Sequence, residues 1–135
     1  MTKIRVNYLG NLRTSSKHLQ SGNEIITDAP LDNNGKGEAF SPTDLLASAY
    51  VNCMITIIGI YCNQRRIPFE KCTAEVEKSM IDNPRRIGQL DITLKIEGVD
   101  WDDQLRKKIE TAACNCPVAK SVSSELKVNI NFIYN

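Results

Sequence analysis

Polar and apolar positions alternate from the start of the chain: Lys3, Arg5, Asn7 and Leu9 stand against Ile4, Val6 and Tyr8, the two-residue period of a half-buried strand. "GN" at 10 and 11 bends this strand, and "LRTSSKHL" resumes the extended pattern. "SGN" at 21 to 23 then turns the chain into "EIITDA". The opening therefore predicts a meander of two or three antiparallel strands. "PLDNNGKGEAF" is dense in Gly, Asn and Asp and reads as a loop.

At "SPTD" the period changes. Ser41 suits a helix N-cap, Pro42 the first helical position, and Asp44 completes an S-x-x-D arrangement of the capping-box type. The spacing predicts one helix from here to about Arg66. Leu46, Ala49, Cys53, Ile57 and Ile60 share one stripe, and Val51, Ile55, Ile58 and Cys62 line the opposite one. A helix apolar all round either spans a membrane or is buried on every side. Ser48, Asn52, Thr56 and Gly59 interrupt this one, and it is slightly short for a span, so burial is expected. A small sheet covers one face; the other calls for another helix or a second subunit.

"KCTAEVEKSM" and "RIGQLDITLKIEG" read as strands joined through "DNP" at 82 to 84, a hairpin. "DWDDQLRKKIETAA" is an amphipathic helix with acids first and Lys107 and Lys108 later, the order that the helix dipole favours, and its stripe is Leu105, Ile109 and Ala112 or Ala113. After "CNCP" the pattern predicts a short helix, "VAKSVSSE", and a last strand, "LKVNINFIYN". The order β-β(-β)-α-β-β-α-α-β, without repeats, implies an α+β fold with an antiparallel-rich sheet and one domain over residues 1–135.

Net charge changes the picture by exclusion: at +1 the chain offers no field for nucleic acid or an anionic membrane surface. The N-terminal strand pattern lacks the apolar run of a signal peptide, so a cytoplasmic location with reduced thiols is expected. Five cysteines without a paired C-x-x-C cluster, beside the single His18, argue against a metal site.

Two thiols stand out from the default of inert, core-filling cysteine. Cys116 precedes Pro117 at the start of the predicted short helix, where free N–H groups and the positive end of the dipole would lower its pKa. Cys53 sits mid-helix in apolar surroundings with no such help nearby. Cys62, nine residues on, faces away from Cys53, and Cys72 falls in a strand, so both read as structural. Cys114 reads as a helix-end packing residue that is also placed for alternative disulfides. His18 in a strand is an ordinary polar residue rather than half of a Cys/His hydrolase pair, and the Asn33–Gly37 loop lacks the lysine and parallel strand of a phosphate loop.

"GKGEAFSPTDLLASAYVNCM", followed some sixty residues later by "CPVAKSV" and a terminal strand, resembles the OsmC/Ohr family of thiol-dependent hydroperoxide reductases, more closely its broader OsmC-like branch. The resemblance covers nearly the whole chain, including "SGNEIITDAP". It implies an OsmC-like fold, an intertwined homodimer with a long buried central helix, and active sites at the subunit interface. It also implies roles: Cys53 as the peroxidatic nucleophile and Cys116 as the resolving thiol, with no metal or cofactor, an organic hydroperoxide as substrate and an external dithiol as reductant. Where the Ohr branch carries a glutamate before the helix cysteine, this chain has Thr43 with Asp44 beside it, and Asp44 falls about 180° from Cys53 on an ideal helix. Arg13 is the candidate for the family's N-terminal arginine. With Ala49, Tyr50 and Ile57 one turn from Cys53, an apolar pocket is expected there, favouring bulky hydroperoxides over hydrogen peroxide. A dimeric protein of the same fold that holds a small apolar ligand without turnover is the alternative.

Overall fold

Two three-stranded sheets and two helices make up the computed structural model, which describes residues 1–135 and falls into two units, Met1–Leu46 and Ala47–Asn135. The α+β class and the order of strands follow the sequence pattern.

The N-terminal unit is the expected meander: β1 (Ile4–Gly10), β2 (Arg13–His18) and β3 (Glu24–Asp28) pair antiparallel in that order. Gly10, Asn11 and Leu12 all take positive φ (87°, 54° and 63°), and the register slips between Tyr8 and Gly10, so the turn delivers Arg13 to the first position of β2. Arg13 then faces Asp28 across the β2–β3 ladder. The alternation of β1 does not correspond to half-burial, because Ile4, Val6 and Tyr8 are 60%, 60% and 67% exposed. A period of two reports which residues share a face, not what covers that face.

The following loop is held by its backbone. Leu31–Asn33 form a 3-10 turn, the Gly35 amide donates to the Pro30 carbonyl, and a Cβ at Gly35 would stand 1.7 Å from the Ala29 oxygen. Only glycine fits that approach. Helix α1 (Pro42–Gln64) begins with the predicted reciprocal cap: the Asp44 amide donates to Ser41 Oγ at 3.1 Å, and the Ser41 amide to Asp44 Oδ2 at 2.9 Å.

The second unit contains the core. Strands β4 (Lys71–Ile81) and β5 (Arg86–Glu97) form the predicted hairpin, and β6 (Lys127–Tyr134) lies parallel to β5. That parallel pairing requires a crossover, supplied by α2 (Asp103–Cys114), whose N-cap Asp102 accepts from the Leu105 amide. Leu90, Ile92, Leu94 and Ile96 alternate inward on β5 and are at most 2% exposed. They share a core with Ile109 and Ala113 of α2 and with Ala47, Tyr50, Val51, Met54, Ile58 and Cys62 of α1. Tyr134 ties β6 to α2 by donating to Glu110 Oε2 at 2.6 Å.

The sheet covers one face of α1, as expected; on the other, Leu46 and Ile60 are 38% and 46% exposed, and Ala49, Asn52 and Thr56 lie open between them, so within the single chain that face has no cover. One expectation needs correction: residues 118–125 form no helix, only turns and a bend. The reason is local competition: Ser121 Oγ donates to the Pro117 carbonyl and Ser123 Oγ accepts from the Glu125 amide, offering the backbone partners that a helix would not use.

Candidate active site

Cys53 belongs to neither face of α1 alone. Its neighbours Tyr50 and Met54 are buried, Asn52 and Thr56 are exposed, and Cys53 itself is half-buried at the border. Helix α2 brings Cys116 to it. The helix closes at Asn115, whose side chain donates to the Thr111 carbonyl, and the Cys116 amide donates to the Ala113 carbonyl at 3.3 Å. Pro117 then starts a single turn in which the Lys120 amide donates back to the Cys116 carbonyl. Cys116 is left with no solvent exposure, its Sγ accepting a weak hydrogen bond from the Ala119 amide at 3.5 Å.

All five cysteines are free, and Cys53 lies near enough to Cys116 to act on its titration. Burial pushes the Cys116 thiol up from its ordinary pKa; the Ala119 and Val118 amides pull it down, while Cys53 raises it further. The lowering expected from a helix start is therefore present only as two turn amides, and burial outweighs them. Burial thus favours the protonated form of the Cys116 thiol. Tyr50, one turn before Cys53 and 5% exposed, has its phenol pushed up by burial and then by charge on Cys116 and Cys114.

The other candidates separate clearly. Cys114 is exposed, its thiol raised by burial and by Glu110. Cys62 and Cys72 are raised chiefly by burial, as structural thiols are. His18 is engaged at its own turn, with Nδ1 2.6 Å from Ser21 Oγ. Asp44 carries the helix cap. Arg13 is held in a bidentate pair: Nε donates to Asp28 Oδ1 at 2.7 Å and Nη2 to Oδ2 at 2.8 Å, with Glu38 Oε2 3.7 Å from Nη2. The Glu38 amide adds a third donor to Asp28. Asp28, 1% exposed, was not singled out from the sequence; the turn at 21 to 23 sets a register that places it opposite Arg13.

A sheet-supported central helix thus carries one cysteine, with a second cysteine just before a proline near it, on an α+β scaffold. The family model described as OsmC-like protein matches residues 35–131, and the chain belongs to that family. Among solved structures it is similar to a protein of Psychrobacter arcticus 273-4 named for osmotic stress induction and a detoxification response, at 48% identity over 100% of this chain and 96% of that one, with a TM-score of 0.89. An organic hydroperoxide resistance protein from Legionella pneumophila shares the fold at 18% identity and a TM-score of 0.71, covering 100% of this chain and 96% of that one. An uncharacterized protein of Methanocaldococcus jannaschii is 27% identical over 100 residues, 71% of this chain, and the chain spans only about half (53%) of that protein's length.

The Arg13–Asp28 pair generates an acid-dependence. Hydrogen bonds from Arg13 hold the Asp28 carboxyl below its ordinary value, against burial, which raises it. With the native pKa below that of the unfolded chain, the carboxylate's contribution to stability is complete above about pH 4 and is lost as pH falls through the native value. Asp28→Asn is expected to be less stable than wild type at pH 7, with the difference shrinking below about pH 4. Urea unfolding of both proteins from pH 7 to pH 3 measures it, and a difference independent of pH would contradict the assignment.

Proposed function

We propose that the protein is a thiol-dependent peroxidase that reduces organic hydroperoxides to alcohols, acting as a homodimer. The observation that carries this reading is the nearness of half-buried Cys53, at the helix border, to the fully buried Cys116. Membership of the OsmC-like family supports it.

In the first step the Cys53 thiolate attacks the outer oxygen of R–O–OH. The O–O bond breaks, sulfur takes the OH as a sulfenic acid, and the alkoxide leaves as ROH after taking a proton. In the second step Cys116 sulfur attacks Cys53 sulfur; the S–OH bond breaks, the Cys116 proton and the OH leave as water, and a Cys53–Cys116 disulfide remains. An external dithiol returns both thiols and is itself oxidised, which suits the reducing cytoplasm. These steps draw on no metal or prosthetic group. Apolar side chains beside Cys53, among them half-buried Ile57, favour an alkyl or aryl R group over hydrogen peroxide, because R gains from leaving water.

The homodimer is argued from what the chain leaves uncovered. Leu46 and Ile60 on α1, and Ile4, Val6 and Tyr8 on β1, stand open, and burying each large apolar side chain contributes roughly 1.5–3 kcal/mol. Sedimentation at micromolar concentration should give a dimer; a monomer would remove this part of the reading.

Cumene hydroperoxide should consume two thiols per protein chain in stoichiometric amounts, and turn over under dithiothreitol. Cys53→Ser is expected to abolish both. Cys116→Ser should keep the first oxidation but lose recycling, so that mass spectrometry finds sulfinic Cys53. Sulfinic acid accumulating on Cys116 in the Cys53 variant would reverse the two roles, and loss of no thiols in wild type would favour the ligand-binding alternative.

A further inference from the structure

A cavity of about 430 Å³ lies between α1 and α2, lined by Tyr61, Gln104, Lys107, Lys108 and Thr111. The spacing of α2 dictates one of its walls. Gln104, Lys107, Lys108 and Thr111 stand at i, i+3, i+4 and i+7, so they share the face that remains exposed while Ile109 and Ala113 turn to the core. Tyr61 supplies the wall on α1, eight residues and about 12 Å beyond Cys53 along the helix axis. The cavity is therefore separate from the thiol pair.

Its walls combine an apolar ring with positive charge. Tyr61 is half-buried, and Arg65 fixes its ring: the guanidinium carbon stands 3.6 Å from the ring centroid, and Nη1 donates to the Tyr61 carbonyl at 3.3 Å. Arg65 is not itself part of the lining, so the side of the ring that meets the cavity is free of it. Thr111 donates its hydroxyl to the Lys107 carbonyl at 2.8 Å, and that O–H is not offered to the cavity. No carboxylate lines the cavity, and neither lysine is held in an ion pair. Glu110, between Lys108 and Thr111 in the chain, accepts instead from Tyr134 at 2.6 Å, and Asp103, a turn before Lys107, lies outside the lining.

A ligand that satisfies both features has a flat apolar body and one anionic group. We propose that this cavity binds an aromatic monocarboxylate, its ring against Tyr61 and its carboxylate between the Lys107 and Lys108 ammonium groups. The two lysines are the charged donors in the lining, and two carboxylate oxygens match them. The ligand ring gains by leaving water and by ring–ring contact. The carboxylate gains modestly from each lysine, because both side chains are exposed and salt screens them. This inference does not depend on the peroxidase reading, since it uses neither Cys53 nor Cys116.

The test is titration calorimetry of the full chain with naphthoate and with its neutral analogue naphthamide at low salt, with backbone amide chemical shifts recorded to place the site. Naphthoate is expected to bind roughly tenfold more tightly than naphthamide, the scale of two exposed ion pairs, and salt should narrow the gap. Shifts should move at Tyr61 and along Gln104 to Thr111, and stay in place at Cys53 and Cys116. Combining Lys107→Gln with Lys108→Gln should remove the gap and leave naphthamide affinity as it was, whereas Tyr61→Leu should weaken both ligands. Failure of naphthoate to bind, equal affinity for the two ligands in wild type, a gap that survives loss of both lysines, or shifts centred on Cys53 and Cys116 would each overturn the proposal. Shifts at Gln104 to Thr111 that depend on protein concentration before any ligand is added would also overturn it, marking the cavity as covered by a second copy of the chain.

Discussion

The site depends on one juxtaposition, that of a fully buried thiol, Cys116, near a half-buried one on the helix, Cys53. Each supporting element serves it. Strand β5 presents Leu90, Ile92, Leu94 and Ile96 as an apolar floor, and α1 lays Ala47 to Cys62 on that core with Cys53 at the border of the stripe. Helix α2 reaches the same core through Ile109 and Ala113 and ends there, so that the turn at Asn115 brings Cys116 inward while Cys114 stays exposed. Burial is what sets the chemistry of Cys116: it outweighs the two amides that would favour a thiolate, and so favours the protonated form.

Much of this was legible in the sequence. The Ser41–Asp44 cap, the hairpin through 82 to 84, the amphipathic α2 and the alternation of β5 and β6 each follow from a local rule, because each of those residues bonds or packs within its own element. The failures are of another kind. The exposure of β1 depends on what lies against it, which periodicity does not encode. The missing helix at 118–125 lost to serine side chains competing for the backbone, and the parallel place of β6 beside β5 depends on a crossover that no strand pattern reports.

The charged groups show the same division. Arg13 was legible as a noteworthy cation, but the carboxylate to act with it was sought near the helix, at Asp44 beside Thr43. Asp44 is bonded to the Ser41 amide as a cap, and the carboxylate bound to Arg13 is Asp28, at the end of the neighbouring strand. The pairing follows from strand register and is invisible to helical spacing. For the thiols, sequence position pointed to an acidified Cys116, whereas its complete burial pushes the thiol up despite the two turn amides.

The central claim is that Cys53 and Cys116 work as a redox pair. Its most direct measurement is peptide mapping, under non-reducing conditions, of wild-type protein treated with one equivalent of tert-butyl hydroperoxide and then alkylated. The account predicts one dominant product, the Cys53 peptide joined to the Cys116 peptide, with Cys62 and Cys72 recovered as alkylated thiols. Recovery of Cys116 as an alkylated thiol while Cys53 is oxidised or linked to another cysteine would contradict it.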